Sequence, residues 1–350
     1  MSAHDSASRR PEDRLKRRGG PVECLRPLGA LYRGVTGLRN FGYDRGLMPI
    51  AQLDVPVVSI GNLTVGGTGK TPMVVWVVRE LIARGRKPGV LSRGYRSANG
   101  EQNDEGLLLE RLLPGVPQVQ NADRVAGGRE LEGRGADVIV LDDGFQHRRL
   151  GRDVDIVLID ATRPWGLPAP EEGGEPVCAL LPRGFLREAP QGLARASAVV
   201  LTRCDQVGAA DLERLEDALE KLVPGLPRAR ARHRATGLRT PDGPRPLDDL
   251  DGREVVLVSG LGNPEAFERS ARESGARVLA THRFPDHHHF RRDELIELTP
   301  PGAILLTSAK DAVKLAAQDV PCLVLEVELE VLRGSAVLAA LLDSLRTIET

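Results

Sequence analysis

The segment GNLTVGGTGKTP, residues 61–72, contains residue types that bind phosphate groups. A phosphate-binding loop has the pattern G-x-x-x-x-G-K-[S/T]; Gly69, Lys70 and Thr71 fill its last three positions, and Thr64 replaces its first glycine. Glycines let backbone amides turn toward phosphate oxygens, and a following helix adds partial positive charge. A glycine-rich turn without a ligand is the alternative. The predicted nucleotide-binding residues are Thr64, Val65, Gly66, Gly67, Thr68, Gly69, Lys70 and Thr71.

Two adjacent carboxylates follow an apolar run in ADVIVLDDGFQH, residues 136–147. In phosphate-loop proteins, the loop lysine reaches the β- and γ-phosphates, while the following hydroxyl and a strand-end aspartate hold Mg²⁺. In this chain the lysine is Lys70 and the hydroxyl is that of Thr71. Asp142 and Asp143 are neighbours, so their side chains diverge, and we expect one to face the metal and the other a partner in the cleft. Solvated loop aspartates are the alternative, but ligands of parallel sheets bind beyond the strand ends.

Two further polar clusters, NDEG at 103–106 and FPDHHHF at 284–290, lie far apart in the chain. A kinase needs a group that accepts or orients the proton of the acceptor hydroxyl, and a carboxylate paired with histidine is a common solution. Three successive histidines could instead bind a metal ion. Arginines in other loops would together suit a second phosphate on the substrate; they are Arg93, Arg124 and Arg187.

Apolar strand patterns alternate with helical patterns from residue 51 onward. Strands are predicted at 55–60, 154–161 and 196–205, among others, and the phosphate-binding loop lies between a strand and a helix. This alternation indicates an α/β fold, a P-loop-type parallel sheet with helices on both faces, plus a second, smaller α/β domain. The predicted divisions are a disordered 1–22, an amphipathic segment 23–50, a P-loop domain 51–225, a joining region 226–252, a smaller domain 253–335 and a C-terminal helix 336–350.

The composition of the 350 residues is that of a globular protein, with 41% hydrophobic and 28% charged residues. A net charge of −1 and an aromatic content of 3% give no support to nucleic-acid binding. The four cysteines are scattered, without the spacing of a zinc site. No apolar run is long enough to predict a membrane-spanning helix.

Residues 25–38 place apolar side chains at roughly helical spacing, with arginines between them. Such a helix could lie in a membrane interface with its arginines at anionic headgroups. A helix packed on the protein itself explains the pattern equally well. The apolar positions are Leu25, Leu28, Leu31, Val35 and Leu38.

Taken together, these blocks resemble the tetraacyldisaccharide 4'-kinase family, the lipid A 4'-kinases of Gram-negative bacteria. The resemblance extends over residues 25–315 and includes VPVVSIGNLTVGGTGKTP, NDEGLLL, VLDDGFQHRRL, LLPRGFLRE, SGLGNPEAF and FPDHHHF in the same order. It implies that ATP, with Mg²⁺, phosphorylates the 4'-hydroxyl of a tetraacylated glucosamine disaccharide 1-phosphate, giving lipid IVA. It also implies a peripheral or monotopic enzyme at the cytoplasmic face of the inner membrane, anchored by its N-terminal helix. We predict no obligate protein partner.

The resemblance also implies roles for individual residues. Asp104 matches the family's catalytic aspartate and His287 its partner, and Thr64 is typical of the family's loop. The family's glutamate before Lys-Asp is Ala309 here, so we assign TSAKDAVK, residues 307–314, no catalytic role. The implied catalytic residues are Asp104, His287 and Lys70; the metal ligands are Thr71, Asp142 and Asp143; the substrate-binding residues are Arg124, Gln146, Arg187 and Glu188.

Two other functions fit parts of the chain. LTRCD, residues 201–205, is similar to the guanine-reading motif of GTPases, with Arg203 in place of lysine. A P-loop GTPase or metal-insertion NTPase is therefore the main alternative. A non-catalytic module that binds nucleotide sugar or lipid is the third.

Overall fold

A computed structural model of the chain describes residues 14–16, 19–94, 103–168, 176–285, 288–315 and 320–347. Most of the predicted disordered segment 1–22 and the end of the predicted helix 336–350 lie outside these ranges. The strands are β1 Val57–Asn62, β2 Pro88–Ser92, β3 Gln118–Gln120, β4 Val138–Asp142, β5 Val154–Asp160, β6 Ala198–Thr202, β7 Arg228–Thr240, β8 Gly243–Arg245, β9 Glu254–Ser259, β10 Arg277–Arg283, β11 Ile304–Ser308 and β12 Leu323–Arg333.

Helices connect these strands and precede them at the N-terminus. Short 3₁₀ helices occupy some of the remaining loops. The α-helices are α1 Arg26–Asp44, α2 Lys70–Ala83, α3 Asp104–Leu112, α4 Arg124–Gly133, α5 Ala209–Leu222, α6 Pro264–Glu273, α7 Arg292–Leu298, α8 Ala309–Leu315 and α9 Ser335–Asp343.

The first half of the sheet is parallel, in the order β3-β2-β4-β1-β5-β6-β7. Alternate residues of its strands pack on opposite layers, as the period of two in a strand requires. Val138 and Val140 face the cluster formed with α2, α3 and α9. Ile139 and Leu141 face the cluster that includes residues of α4. Helices therefore cover both faces, and the predicted fold class is confirmed.

The second half of the sheet contains β9, β10, β11 and β12, which are parallel to one another. The long strands β7 and β12 join the halves as an antiparallel ribbon: β7 pairs with β6 near Arg228 and with β12 as far as Arg239. Because strand direction reverses at this ribbon, the carboxyl ends of β9 and β11 point toward those of β1 and β4. A cleft lies between the two carboxyl edges.

The predicted joining region, 226–252, contains β7, one of the strands at the centre of this sheet. Its alternating sequence places Ala229 and Ala231 in the core, while Arg230 and Arg232 form ion pairs on the outer face. The halves are thus joined by paired strands in addition to loops. The predicted domain boundaries stay a prediction.

The helix α1 lies against the first half without burying its apolar side chains. Gly29 is its one buried residue, and the large apolar side chains at 28, 31, 35 and 38 are 53 to 73% exposed. Polar contacts hold the helix instead: the Tyr32 hydroxyl donates to the carbonyl of Arg187 (3.0 Å), and Arg39 donates to that of Gln146 (3.0 Å). No helix in the described ranges is long and apolar enough to cross a bilayer.

Candidate active site

The phosphate-binding loop leaves β1 at Asn62 and enters α2 at Lys70, as the sequence predicts. Two of its glycines have backbone angles that favour glycine, with φ of 121° at Gly66 and 91° at Gly69. Thr64 has no such angle; it is buried and forms an isolated antiparallel bridge with Leu186. Its backbone is thus tied to a neighbouring segment outside the curved part of the loop. A threonine is therefore compatible with the first motif position.

Buried polar contacts fix the far side of the loop. The Asn62 side chain donates to the Thr68 hydroxyl (2.9 Å), and the Thr202 hydroxyl donates to the Thr68 carbonyl (3.0 Å). The imidazole of His233 lies so close to Gly69 that a Cβ there would be 2.5 Å from the ring. Burial lowers the pKa of His233 to about 3, and nearby Arg203 adds to this effect. A neutral ring therefore packs against the loop at physiological pH.

Two cations of the first half, Lys70 and Arg187, lie beside the carboxylate of Asp143. Its φ of 53° turns the chain sharply after β4, and its carboxylate accepts two hydrogen bonds from Arg187 Nη1 (2.9 and 2.7 Å). Lys70 Nζ lies 3.5 Å from Asp143 Oδ1. Burial by itself would raise the pKa of Asp143, but Lys70 and Arg187 outweigh it and hold the pKa at about 2. The carboxylate is charged at all physiological pH values.

Asp142 has the opposite electrostatic environment. Burial raises its pKa to about 7, and the negative charge of Glu105 adds to this effect. Its Oδ1 is buried and has no hydrogen-bond partner among the described residues. A buried carboxylate oxygen without a donor fits a cation, which would supply the missing positive charge. Together with Asp143 and the Thr71 hydroxyl it offers the oxygen ligands that Mg²⁺ prefers.

In the protein without metal and nucleotide, Asp142→Asn is expected to reduce the loss of stability that occurs as the pH rises. The pKa of Asp142 is higher in the folded protein than its ordinary 3.8, so the folded state holds a proton that the unfolded state has lost. The free energy of unfolding should therefore fall from about pH 4 to about pH 7 in the parent, by at most about 4 kcal/mol. Denaturant titrations across this range should show a smaller fall in Asp142→Asn. An equal fall in both proteins would contradict the assignment, and exposed Asp248→Asn is the matched control.

The predicted substrate-binding residues lie on the loops beside Asp143. Gln146 donates to the carbonyl of Asn62 (2.8 Å) and to Glu188 (2.7 Å). Glu188 is 2% exposed and pairs with Arg195 (2.8 Å), so its buried carboxylate holds the side chain of Gln146 in place. The side chain of Arg124 is buried at the cleft, where its Nη1 donates to the carbonyl of Asn121 (2.7 Å).

Asp104 and Glu105 begin α3 on the other side of the cleft. Two lysines of α8 reach them from the second half: Lys310 Nζ lies 3.2 Å from Glu105 Oε1, and Lys314 Nζ lies 3.6 Å from Asp104 Oδ2. Residues 307–314, which include most of α8, carry no predicted catalytic role, but Lys314 lies beside the predicted catalytic carboxylate. The predicted partner of Asp104, His287, lies outside the described residues and stays a prediction.

Many of these groups line one cavity of about 1140 Å³, in which Glu105 and Lys310 represent α3 and α8. The first half contributes the loop, the acidic pair, Arg124 and Arg187, and the second half contributes residues that follow β9 and β11. The halves touch at the loop, since a Cβ on Gly262 would lie 2.4 Å from the amide nitrogen of Gly67. The volume exceeds the usual range for small-ligand sites, which suits two substrates bound together.

The acidic pair and Thr71 are too few to hold a metal ion without further ligands. The described ranges contain no group of three or more His, Cys, Asp or Glu side chains that could hold a metal ion by themselves. The alternative of a histidine metal site at 284–290 therefore has no support there, although Asp286 and His287 are outside those ranges. Two carboxylates and a hydroxyl leave the remaining ligands to phosphate oxygens and water, as is usual for Mg²⁺.

Comparison with known proteins identifies the family of this chain. The family model described as Tetraacyldisaccharide-1-P 4'-kinase matches residues 22–346. A tetraacyldisaccharide 4'-kinase of Anaeromyxobacter dehalogenans is 40% identical, covering 90% of this chain and 91% of that protein. One from Geobacter sulfurreducens is 39% identical over 82% of both chains. The crystal structure of LpxK from Aquifex aeolicus in complex with ATP superimposes with a TM-score of 0.68 at 31% identity, covering 92% of this chain and 98% of that one.

These matches extend over both halves of the sheet and both walls of the cleft, so they concern the complete site and not the phosphate-binding loop alone. They favour a kinase over the GTPase and the non-catalytic module. The chain therefore belongs to the tetraacyldisaccharide 4'-kinase family, the ATP-dependent kinases of lipid A biosynthesis.

Proposed function

We propose that this chain transfers the γ-phosphate of ATP to the 4'-hydroxyl of a tetraacylated glucosamine disaccharide 1-phosphate, and that Lys70, Asp143 and Asp104 perform this transfer. The observation that carries the proposal is the shared cavity: the phosphate-binding loop with its lysine lines one part of it, and Asn103 and Glu105, which flank Asp104 at the start of α3, line another. A hydrolase needs only water opposite the γ-phosphate. A cavity of this size leaves room for a sugar acceptor.

On the nucleotide side, the loop amides and Lys70 hold the phosphates. Mg²⁺, held by Thr71, Asp142 and Asp143, would neutralise charge on the phosphate oxygens. Arg187 keeps Asp143 in place through its two hydrogen bonds. In free protein Asp143 also holds Lys70, so the lysine is already near the position that bound phosphates require.

On the acceptor side, we assign Asp104 to the 4'-hydroxyl. The hydroxyl proton passes to the carboxylate while the acceptor oxygen bonds to the γ-phosphorus and the bond from phosphorus to the β,γ-bridging oxygen breaks. Asp104 is the first residue of α3. His287 would orient it, as the family resemblance implies.

We assign binding of the disaccharide and its phosphate to Arg124, Arg187 and Gln146. Both arginines line the cavity, and Arg187 pairs with Asp143 (2.7 Å). Glu188 is buried and would act through Gln146, which it holds by a hydrogen bond.

Transfer of ³²P from labelled ATP to the disaccharide 1-phosphate tests the reaction. Thin-layer chromatography should show a labelled lipid product that depends on the acceptor and on Mg²⁺. ATP should be strongly preferred to GTP. Release of inorganic phosphate at the same rate with and without acceptor would contradict the kinase assignment.

The acceptor is a lipid, and α1 presents the surface that would meet a bilayer. Its outward stripe continues into Leu47 and Met48, which are also exposed, and the opposite side contacts the loops of Gln146 and Arg187. An exposed apolar stripe of this length beside arginines is typical of an interfacial helix. We propose that α1 lies on the cytoplasmic face of the inner membrane and sets the orientation of the cleft toward the lipid.

Leu31→Glu/Leu38→Glu should reduce sedimentation of the protein with vesicles that contain anionic phospholipid. Both side chains are more than two-thirds exposed, so the thermal melting temperature should stay close to that of the parent. Ile296→Glu, at an exposed apolar position on α7, is the matched control and should sediment like the parent. Unchanged sedimentation of the double variant would contradict the proposed orientation.

A further inference from the structure

The helix α8 begins with a buried polar turn that the proposed reaction does not use. Ser308 ends β11, and its hydroxyl accepts a hydrogen bond from the Asp311 amide (3.1 Å). This hydroxyl caps the first turn of α8, because it accepts from an amide that has no partner within the helix. The Asp311 carboxylate is fully buried and accepts from Gly260 N (3.0 Å) and from the Ser308 hydroxyl (2.8 Å). Its position is therefore fixed by two neighbouring strand ends.

Asp311 in turn holds Lys314, one turn further along α8. Lys314 Nζ lies 3.3 Å from Asp311 Oδ1, and the lysine side chain is only 6% exposed. The ammonium also lies 5.9 Å from the ring centre of Phe290. A lysine buried to this degree has few rotamers left, so its ammonium is a fixed charge rather than a mobile surface group.

The other neighbour of this ammonium is Asp104 of the first half, at 3.6 Å. The three side chains thus form a row across the cleft, Asp311–Lys314–Asp104, with the proposed acceptor carboxylate at its end. Lys310 lies one turn earlier on the same face of α8 and makes a parallel contact with Glu105 (3.2 Å). The sequence alone assigns none of these α8 residues to the reaction.

We propose that Lys314 is a positioning residue for Asp104, held in place by Asp311, and that it completes the acceptor site when the second half of the sheet lies against the first. This inference rests on the proposed function of Asp104. Lys314 contacts the carboxylate and not the substrate, and it fixes the direction of the oxygens that meet the acceptor hydroxyl.

Kinetics of Lys314→Met in the full chain test the proposal. We expect kcat to fall about 10- to 100-fold, because a misplaced reacting group loses rate without loss of nucleotide affinity. KM for ATP should stay within about 2-fold of the parent value, since the contacts that bind ATP equally in the ground state and in the transition state are unaffected. Lys314→Arg keeps the charge and should recover part of the loss. Lys221→Met, an exposed lysine on α5, is the matched control and should leave kcat unchanged.

The double variant Asp104→Asn/Lys314→Met separates positioning from a general structural role. If Lys314 acts through Asp104, its replacement should have no further effect on kcat once Asp104 is gone. If the fall in kcat of the double variant equalled the product of the falls in the two single variants, the inference would be overturned, while the assignment of Asp104 would stand. If Asp104→Asn by itself leaves kcat unchanged, both the assignment of Asp104 and the inference fail.

A folding defect is the main risk, because Lys314→Met leaves the Asp311 charge buried without its cation. Asp311→Asn/Lys314→Met removes both charges, and an asparagine oxygen can still accept from Gly260 and Ser308. This second variant should show the same fall in kcat and the same KM for ATP. A raised KM for ATP with unchanged kcat would overturn the proposal in either variant.

Discussion

Lys70→Ala is expected to lower kcat/KM for phosphoryl transfer by about 10²- to 10³-fold, the usual loss when one fixed donor to a developing charge is removed. Lys70 begins α2, and its ammonium lies in the cavity 3.5 Å from Asp143. Asp143 also pairs with Arg187, so the loop and the acidic pair should stay in place without the lysine. The loss should therefore come from missing charge at the phosphates and not from unfolding.

Steady-state rates with the lipid acceptor would measure this loss. Lys70→Arg should recover little activity, because a planar guanidinium does not replace a compact ammonium in a close contact. Lys87→Ala, at an exposed lysine just beyond α2, is the matched control and should behave like the parent. A Lys70→Ala enzyme with more than a tenth of the parent kcat/KM would show that Lys70 does not hold the transferred phosphate.

Asp104→Asn should lower kcat by about 10²- to 10⁴-fold, the range for loss of a general base. KM for ATP should change little, because Asp104 begins α3 and is not part of the phosphate-binding loop. Asparagine has the same shape as aspartate, and Asn103, which caps α3 by accepting from the Gly106 amide, is unaffected. The melting temperature should accordingly stay within a few degrees of the parent.

Single-turnover phosphoryl transfer at saturating ATP would isolate this step. Exposed Glu110→Gln, on the same helix, is the control for a change of helix charge and should leave the rate unchanged. If Asp104→Asn raised KM for ATP and left the single-turnover rate intact, Asp104 would belong to the nucleotide side of the site.

Local motifs account for the parts of the fold and site that could be predicted. Alternating apolar strands and helices predict a parallel sheet covered on both faces, and the structure has that sheet. The predicted joining region, 226–252, contains the arginine-rich residues 228–234, whose period of two is that of the strand β7. The charges of Arg228, Arg230 and Arg232 are compatible with a strand because glutamates pair with them. Two of these glutamates lie on the preceding helix α5, and the third lies on β12, which is distant in sequence.

The sequence by itself determined the phosphate-binding loop, the acidic pair after β4 and the family, because each depends on contiguous residues whose chemistry follows from type and spacing. Tertiary structure decided which carboxylate of the pair has a buried oxygen without a hydrogen-bond partner and which lysine lies beside Asp104. It also decided that the backbone at Thr64 pairs with Leu186 and does not adopt the positive φ that favours glycine. The contact of Lys310 with Glu105 joins residues 205 positions apart. Such a pair forms only when the β7–β12 ribbon turns two carboxyl edges toward each other, and no local pattern in the chain encodes that turn.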